Sequence, residues 1–289
     1  MRRRTAGGAA LGPVLALGPV LAVVLAVALA AVLAGCGSSS APAGGAPASS
    51  AGSGHAPGGE LTVFAAASLE PVIDELAAAF TAQHPGVTFA RVTYDGSSTL
   101  ATQLVEGAHA DVLVTADPAS MQTVADAGLV DGEPAVVATN TLQIVVPAGN
   151  PDGLTSLADL AALSAHGGKV VVCAAQVPCG ASAASVLESA GVTLVPASLE
   201  QNVTAVLTKV TAGEADAGLV YRTDVLKAGD AVEGVDFTES SEAVNAYPAA
   251  VLTDATAPAV ARAFVDFLVS REGQTLLAAR GFAPPSEAG

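Results

Sequence analysis

At four places in the 289-residue chain, hydroxyl-bearing or small residues stand where a strand-like run hands over to a helix-like one. Ser68 follows LTVFAAA (61–67), with Glu70 and Pro71 behind it, and Gly96, Ser97 and Ser98 follow VTFARVTY (87–94). Pro178, Cys179 and Gly180 follow KVVVCA (169–174), while Ser198, Gln201, Asn202 and Val203 stand ahead of a helical run reaching Ala212. The first N–H groups of a helix have no acceptor within it, and its start carries roughly half a positive charge. Taken singly, each place has a plain explanation: a serine there caps its own helix, and Gly96 is a turn glycine with positive φ. Several helix starts converging on one spot would instead bind an anion with no cation present. Each hydrogen bond from a neutral donor to a charged acceptor is worth about 1.5–3 kcal/mol, so half a dozen could hold a desolvated dianion.

These places must be brought together by the fold. Buried-strand and amphipathic-helix patterns alternate: strands at 61–67, 87–94 and 111–115, helices at 69–83, 98–106 and 118–127. Three strand–helix units in a row predict a parallel sheet covered by helices. The strand 141–147 then has no helix directly after it; a turn at Ser156–Asp159 follows. A second series has strands at 169–174, 193–196 and 215–220 and helices at 181–190 and 200–212, then a strand at 246–253 and a helix at 257–271. Two alternating blocks joined by two extended segments predict an α/β protein of two lobes, each a mostly parallel sheet flanked by helices, with a double crossover near 140–147 and 245–252. The expected lobes are 60–140 plus 248–289, and 141–247. Ligands bind beyond the carboxyl ends of strands in such sheets, and that is where the serines and helix starts fall.

The chain begins MRRR, runs through an apolar stretch and ends it at Leu33-Ala34-Gly35-Cys36, the pattern of a secretory signal over 1–35. Leu11–Leu33 is also long enough for a membrane anchor. Leu-Ala-Gly-Cys resembles the bacterial lipobox, which makes Cys36 the expected lipidated first residue of an extracytoplasmic, membrane-anchored protein. Residues 36–59, rich in Gly, Ser, Ala and Pro, form a tether in which His55 is solvated. Losing Arg2, Arg3 and Arg4 with the leader takes Lys+Arg from 11 to 8 against 27 acids and the net charge from −16 to −19. So acidic a chain, with three Tyr, seven Phe and no Trp, is unsuited to nucleic acid, and its net charge does not steer an anion. Outside the cytoplasm, Cys173 and Cys179, six residues apart, are expected to form a disulfide rather than a metal site.

Enzyme signatures are missing: there is no Gly-x-Ser-x-Gly elbow, no phosphate-binding Gly-x-x-x-x-Gly-Lys loop and no His-Glu-x-x-His beyond the leader. A serine hydrolase using Ser68 or Ser97 would need a nearby base, and His84, His109 and His166 lie far apart in polar contexts. Clustered metal ligands are lacking too. No cofactor is expected.

Four runs carry a resemblance: Phe64-Ala-Ala-Ala-Ser-Leu69, Gly96-Ser-Ser-Thr-Leu-Ala101, Ala110-Asp-Val-Leu-Val-Thr-Ala-Asp117 and Gly213-Glu-Ala-Asp-Ala-Gly-Leu-Val-Tyr221. In order and spacing over Glu60–Phe282, the chain resembles the periplasmic molybdate-binding proteins of bacterial molybdate importers. That resemblance implies a type II periplasmic-binding-protein fold closing on molybdate or tungstate, delivery to an ABC importer's membrane permease, and a monomer. It implies oxyanion contacts from the hydroxyls of Ser68, Ser97 and Tyr221 and the amides of Cys179 and Val203, molybdenum entering only as the oxyanion. Cys179 departs from the family, which has a small apolar residue there. Tyr221, beside Arg222 and Asp224, would present a partly exposed hydroxyl, with Asp224 or a nearby acid pairing Arg222; Ser98 would cap its helix. Sulfate, also a full dianion, is the main alternative ligand. Phosphate, protonated near neutral pH, would call for an acceptor such as an aspartate.

Overall fold

The computed structural model describes residues 58–285. The leader, Cys36 and the tether through residue 57 lie outside the described residues. The first lobe runs through β1 (Gly59–Leu61), β2 (Val63–Ala66), α1 (Glu70–Gln83), β3 (Val87–Phe89), β4 (Thr93–Asp95), α2 (Ser97–Val105), β5 (Val112–Val114), α3 (Pro118–Asp126) and β6 (Val130–Asn140). The second follows with β7 (Leu142–Pro147), α4 (Leu157–Ala165), β8 (Val170–Cys173), α5 (Pro178–Ser189), β9 (Ser198–Glu200), α6 (Val203–Thr211), β10 (Ala217–Tyr221), α7 (Arg222–Ala228) and β11 (Val232–Val235). The chain then returns to the first through β12 (Asn245–Leu252), α8 (Pro258–Val269) and α9 (Arg271–Ala279).

Each lobe has a five-stranded sheet, ordered β4-β2-β5-β12-β6 in the first and β11-β7-β10-β8-β9 in the second. β2 is parallel to β4 and β5, and β8 is parallel to β9 and β10. One strand in each sheet runs against the rest: β12 is antiparallel to β5 and β6, and β7 to β10 and β11. Those are the strands that enter each sheet from a crossover. β2, β5, β8 and β10 are buried along their whole length, as strands covered by helices on both faces must be. In the first lobe the rings of Phe80, Phe89, Phe264 and Phe267 meet within 6.3 Å of one another along a chain of contacts. Leu142, Ile144, Val186, Val206 and Val220 centre the core of the second.

Several elements differ from the sequence expectation. Residues 193–196 are irregular and the strand lies at Ser198–Glu200, so the following helix begins at Val203 rather than Glu200, capped by Asn202 Oδ1 accepting from Ala205 N at 3.0 Å. The turn expected at 156–159 opens α4, with Ser156 Oγ accepting from Asp159 N. β6, with Gly132 and Pro134 breaking its pattern, is a strand because β12 supplies its ladder. The crossovers are also shorter than expected. Leu142–Pro147 and Asn245–Leu252 are paired strands inside the sheets, and β12 joins the first sheet from Asn245, not from 248. The unpaired links are Thr141 and the residues just before Asn245.

One glycine has no freedom to change. A Cβ on Gly180 would sit 1.9 Å from the Ala174 carbonyl oxygen, because the first turn of α5 lies against the end of β8. Gly180→Ala is expected to destabilise the protein by about 1–3 kcal/mol, read as a lower urea midpoint at an unchanged slope.

Candidate functional site

The carboxyl ends of β2, β4 and β5 face those of β8, β9 and β10, and a cavity of about 20 Å³ lies between them. It exceeds the roughly 10–15 Å³ that one water needs and falls far below the roughly 300–1,000 Å³ of clefts for organic ligands. Ser68, Ser97, Cys179, Val203 and Tyr221 all line it, together with Ala66, Ala67, Asp95, Gly96, Ala116, Pro178 and Asn202. Every one of the five residues singled out from the sequence is therefore in the wall.

Local structure explains how each is presented. Ser68 sits in a 3₁₀ turn (Ala67–Leu69) between β2 and α1. Ser97 is the first residue of α2, Cys179 the second of α5, and Val203 the first of α6. Their amides belong to helix starts, where no intrahelical acceptor exists. A bond joins the sulfurs of Cys173 and Cys179, tying the end of β8 to that first turn of α5 across 5.7 Å between Cα atoms. Ser97 Oγ accepts from Ala116 N at 2.9 Å, leaving its proton for the cavity. Ser68 Oγ lies 3.0 Å from Tyr247 Oη.

Tyr221 ends β10 and is 1% exposed, so its hydroxyl is buried rather than partly exposed as expected. That oxygen has no hydrogen-bond partner among the described residues. Burial first, then Tyr247, Asp224 and Asp117, push its pKa well above the ordinary phenol value, so it remains a donor. An unsatisfied buried polar group costs roughly 1–3 kcal/mol; here the donor lines a cavity in which a ligand could accept from it.

The sequence model for the family described as bacterial extracellular solute-binding protein matches residues 61–283. The chain is a member of that family. The molybdate-binding protein ModA of Mycobacterium tuberculosis H37Rv is 44% identical to this solute-binding protein over 257 residues, covering 89% of this chain and 95% of that one. The periplasmic molybdate-binding protein of Azotobacter vinelandii superposes with a TM-score of 0.66 at 20% identity, over 78% of this chain and all (100%) of the other. The sulfate-binding protein SubI of M. tuberculosis does so with 0.67 at 22%, over 79% and 88%. These two likenesses speak to the fold alone. The family binds solutes, and the chain is not an enzyme.

The lobes of this solute-binding protein touch across the cleft. Asn202 Nδ2 donates to Asp95 Oδ1 at 2.9 Å, and the same oxygen accepts from Gly96 N at 2.7 Å. Lys227 pairs with Glu70. Asn245 bridges the lobes at the crossover, donating to the Ala116 carbonyl at 2.9 Å and accepting from Ser182 Oγ at 2.6 Å. Gly96 has φ −60°, not a positive value. It is glycine because a Cβ would meet the Gln201 carbonyl oxygen of the other lobe at 2.3 Å. Ser98 does not cap α2: Gly96 occupies the cap position.

Asp95, Tyr247, Asn140 and Asn245 were not foreseen as part of the site. Asp95 reads as half of an Asp-Gly turn; Tyr247 is 179 residues from the serine it meets and carries no local signal. Asp224 does not pair Arg222, which is exposed. It is buried beneath the site and accepts from Tyr221 N at 3.0 Å. Burial is the main cause that pushes its carboxyl up from 3.8 to about 7, Glu70 adding to the rise while the Tyr221 bond and Lys227 act against it.

Two outcomes follow. Gly96→Ala should leave the thermal midpoint of the free protein nearly unchanged while keeping the lobes apart, read as ligand affinity weakened more than tenfold; parent-like affinity would show that the lobes need not approach so closely. Because the native state keeps the Asp224 proton after the unfolded chain has released it, stability falls as pH rises from about 4 to about 7, by roughly 4 kcal/mol at most. Asp224→Asn should remove that part of the slope and raise the thermal midpoint at pH 8 relative to the parent.

Proposed function

We propose that this protein captures molybdate or tungstate between its two lobes and delivers it to the membrane permease of an ABC importer. The observation that carries the reading is the unpartnered, fully buried Tyr221 hydroxyl on a small cavity. It converges there with two serine hydroxyls and three helix starts, and no Lys or Arg lines the wall. Such a wall supplies donors and partial positive charge, the environment of a small, fully ionised oxyanion. Ser68, Ser97 and Tyr221 act through their hydroxyls, Cys179 and Val203 through their amides. The 44% identity to a molybdate-binding protein over nearly the whole chain favours molybdate within that class. The protein works as a monomer held at the outer face of the cell membrane by lipid on Cys36, and needs no cofactor.

Asp95 is the carboxylate in the wall, and a protonated anion such as phosphate would use an acceptor of that kind. Its Oδ1 is already engaged by Gly96 N and Asn202 Nδ2, which makes it a tie between the lobes. Sulfate shares the charge and shape of molybdate, and size decides between them.

Calorimetric titration with molybdate, tungstate, sulfate and phosphate in turn tests the reading. Tight molybdate and tungstate binding, weak sulfate and no phosphate binding is expected; tight sulfate without molybdate would overturn the ligand. Ser68→Ala combined with Ser97→Ala should weaken molybdate by about 10²–10⁴-fold, the worth of two hydrogen bonds to a charged group. Unaltered affinity would overturn the site.

A further inference from the structure

A serine hydroxyl serves an anion only if its proton points at it, and the groups behind the serine decide that. Asn140 closes β6 just before the crossover and is buried. Its Oδ1 accepts from Thr141 N at 3.0 Å, which settles the orientation of the amide. The other arm, Nδ2, donates to Thr223 Oγ1 at 2.8 Å and faces Tyr247 Oη at 3.4 Å. An amide nitrogen has no lone pair to offer. Among these partners the Tyr247 proton therefore has one acceptor, Ser68 Oγ at 3.0 Å. Once Ser68 accepts, its own proton is left for the cavity.

We propose that Tyr247 is a positioning residue for ligand capture: held by Asn140, it donates to Ser68 and so directs the Ser68 proton toward the bound oxyanion. The inference rests on the reading that the cavity takes an oxyanion. Tyr247 is fully buried, with the ring of Tyr221 edge-on at 6.2 Å and that of Phe282 at 5.4 Å, so its hydroxyl is held in place. Burial, with further contributions from Asp224 and Asp117, raises its pKa, and its hydrogen-bonded contacts with Ser68 and Asn140 lower it less; the phenol keeps its proton. Ser97 is set the same way by a backbone donor, Ala116 N. Each serine accepts one bond from behind and turns its proton to the cavity, so both face the ligand as donors. A ligand oxygen that carries its own proton meets a donor at Ser68 in place of an acceptor. Tyr247 thus contributes to selectivity for unprotonated anions as well as to affinity.

The test measures molybdate and phosphate affinities of the parent, Tyr247→Phe, Ser68→Ala and the double variant, with the thermal midpoint of each. Tyr247→Phe keeps the ring and is expected to weaken molybdate about tenfold, the scale of one hydrogen bond to a charged acceptor. It should also narrow the preference over phosphate, since a released Ser68 hydroxyl can turn and accept. Added to Ser68→Ala it should cause no further loss. Parent-like affinity in Tyr247→Phe, or a full tenfold loss repeated in the Ser68→Ala background, overturns the relay. A lower midpoint with unchanged affinity would make Tyr247 a packing residue only, and overturns it as well. No oxyanion binding by the parent would remove the site, and the relay with it.

Discussion

A cavity walled by hydroxyls and helix starts, in a protein of net charge −16, is the constraint around which the molecule is arranged; the proposed dianion would have to be held there. A lysine or arginine in the wall would be the direct answer, and none lines the cavity. Partial charges must then be collected from many places, because each hydroxyl or helix start contributes only a little. That requirement explains the architecture: donors from one lobe are too few, and two sheets whose carboxyl ends face each other bring helix starts from both. It explains Gly96 and Gly180 too, where the backbone runs so close to a neighbouring carbonyl that no side chain fits.

Neutral donors bring a second requirement. A hydroxyl can turn round and present its lone pairs, so a wall of serines and tyrosines favours an anion only if the backs of those groups are occupied. Ala116 N does this for Ser97. The buried cluster of Asn140, Thr223 and Tyr247 stands behind Ser68. This cluster joins the ends of β6 and β12 to α7, so the residues that aim the donor are those at which the chain passes between lobes. In the proposed capture, any rotation of one lobe on the other and the orientation of the Ser68 proton would act through the same few side chains.

Much of this was readable from the residues alone. Strand-to-helix hand-overs at Ser68, Gly96–Ser97, Pro178–Gly180 and Asn202–Val203 are local patterns, and local patterns survive in sequence. Those patterns mark the four places, and the resemblance to the molybdate-binding proteins implied the set Ser68, Ser97, Cys179, Val203 and Tyr221. What escaped depends on distance along the chain. Tyr247 meets Ser68 from 179 residues away, and Asn202 meets Asp95 from 107. The same limit caused the errors. Gly96 reads as a turn glycine because the crowding that demands it comes from Gln201 in the other lobe. β6 went unseen because its polar first half is a strand only by virtue of β12. Asp224 reads as a surface partner for Arg222, whereas about half a turn of helix carries it to the opposite, interior face.

The Tyr221 hydroxyl bears on what an importer can distinguish. With the lobes as they stand the group is out of water; unless an anion accompanies it, this form forfeits a hydrogen bond worth roughly 1–3 kcal/mol. That sum would be about five- to a hundred-and-sixtyfold in the balance between open and closed forms. A permease docking only the closed outline would then read occupancy from shape, with no contact to the cargo. One phenol would act as a proofreading step, holding empty carriers back from the membrane gate.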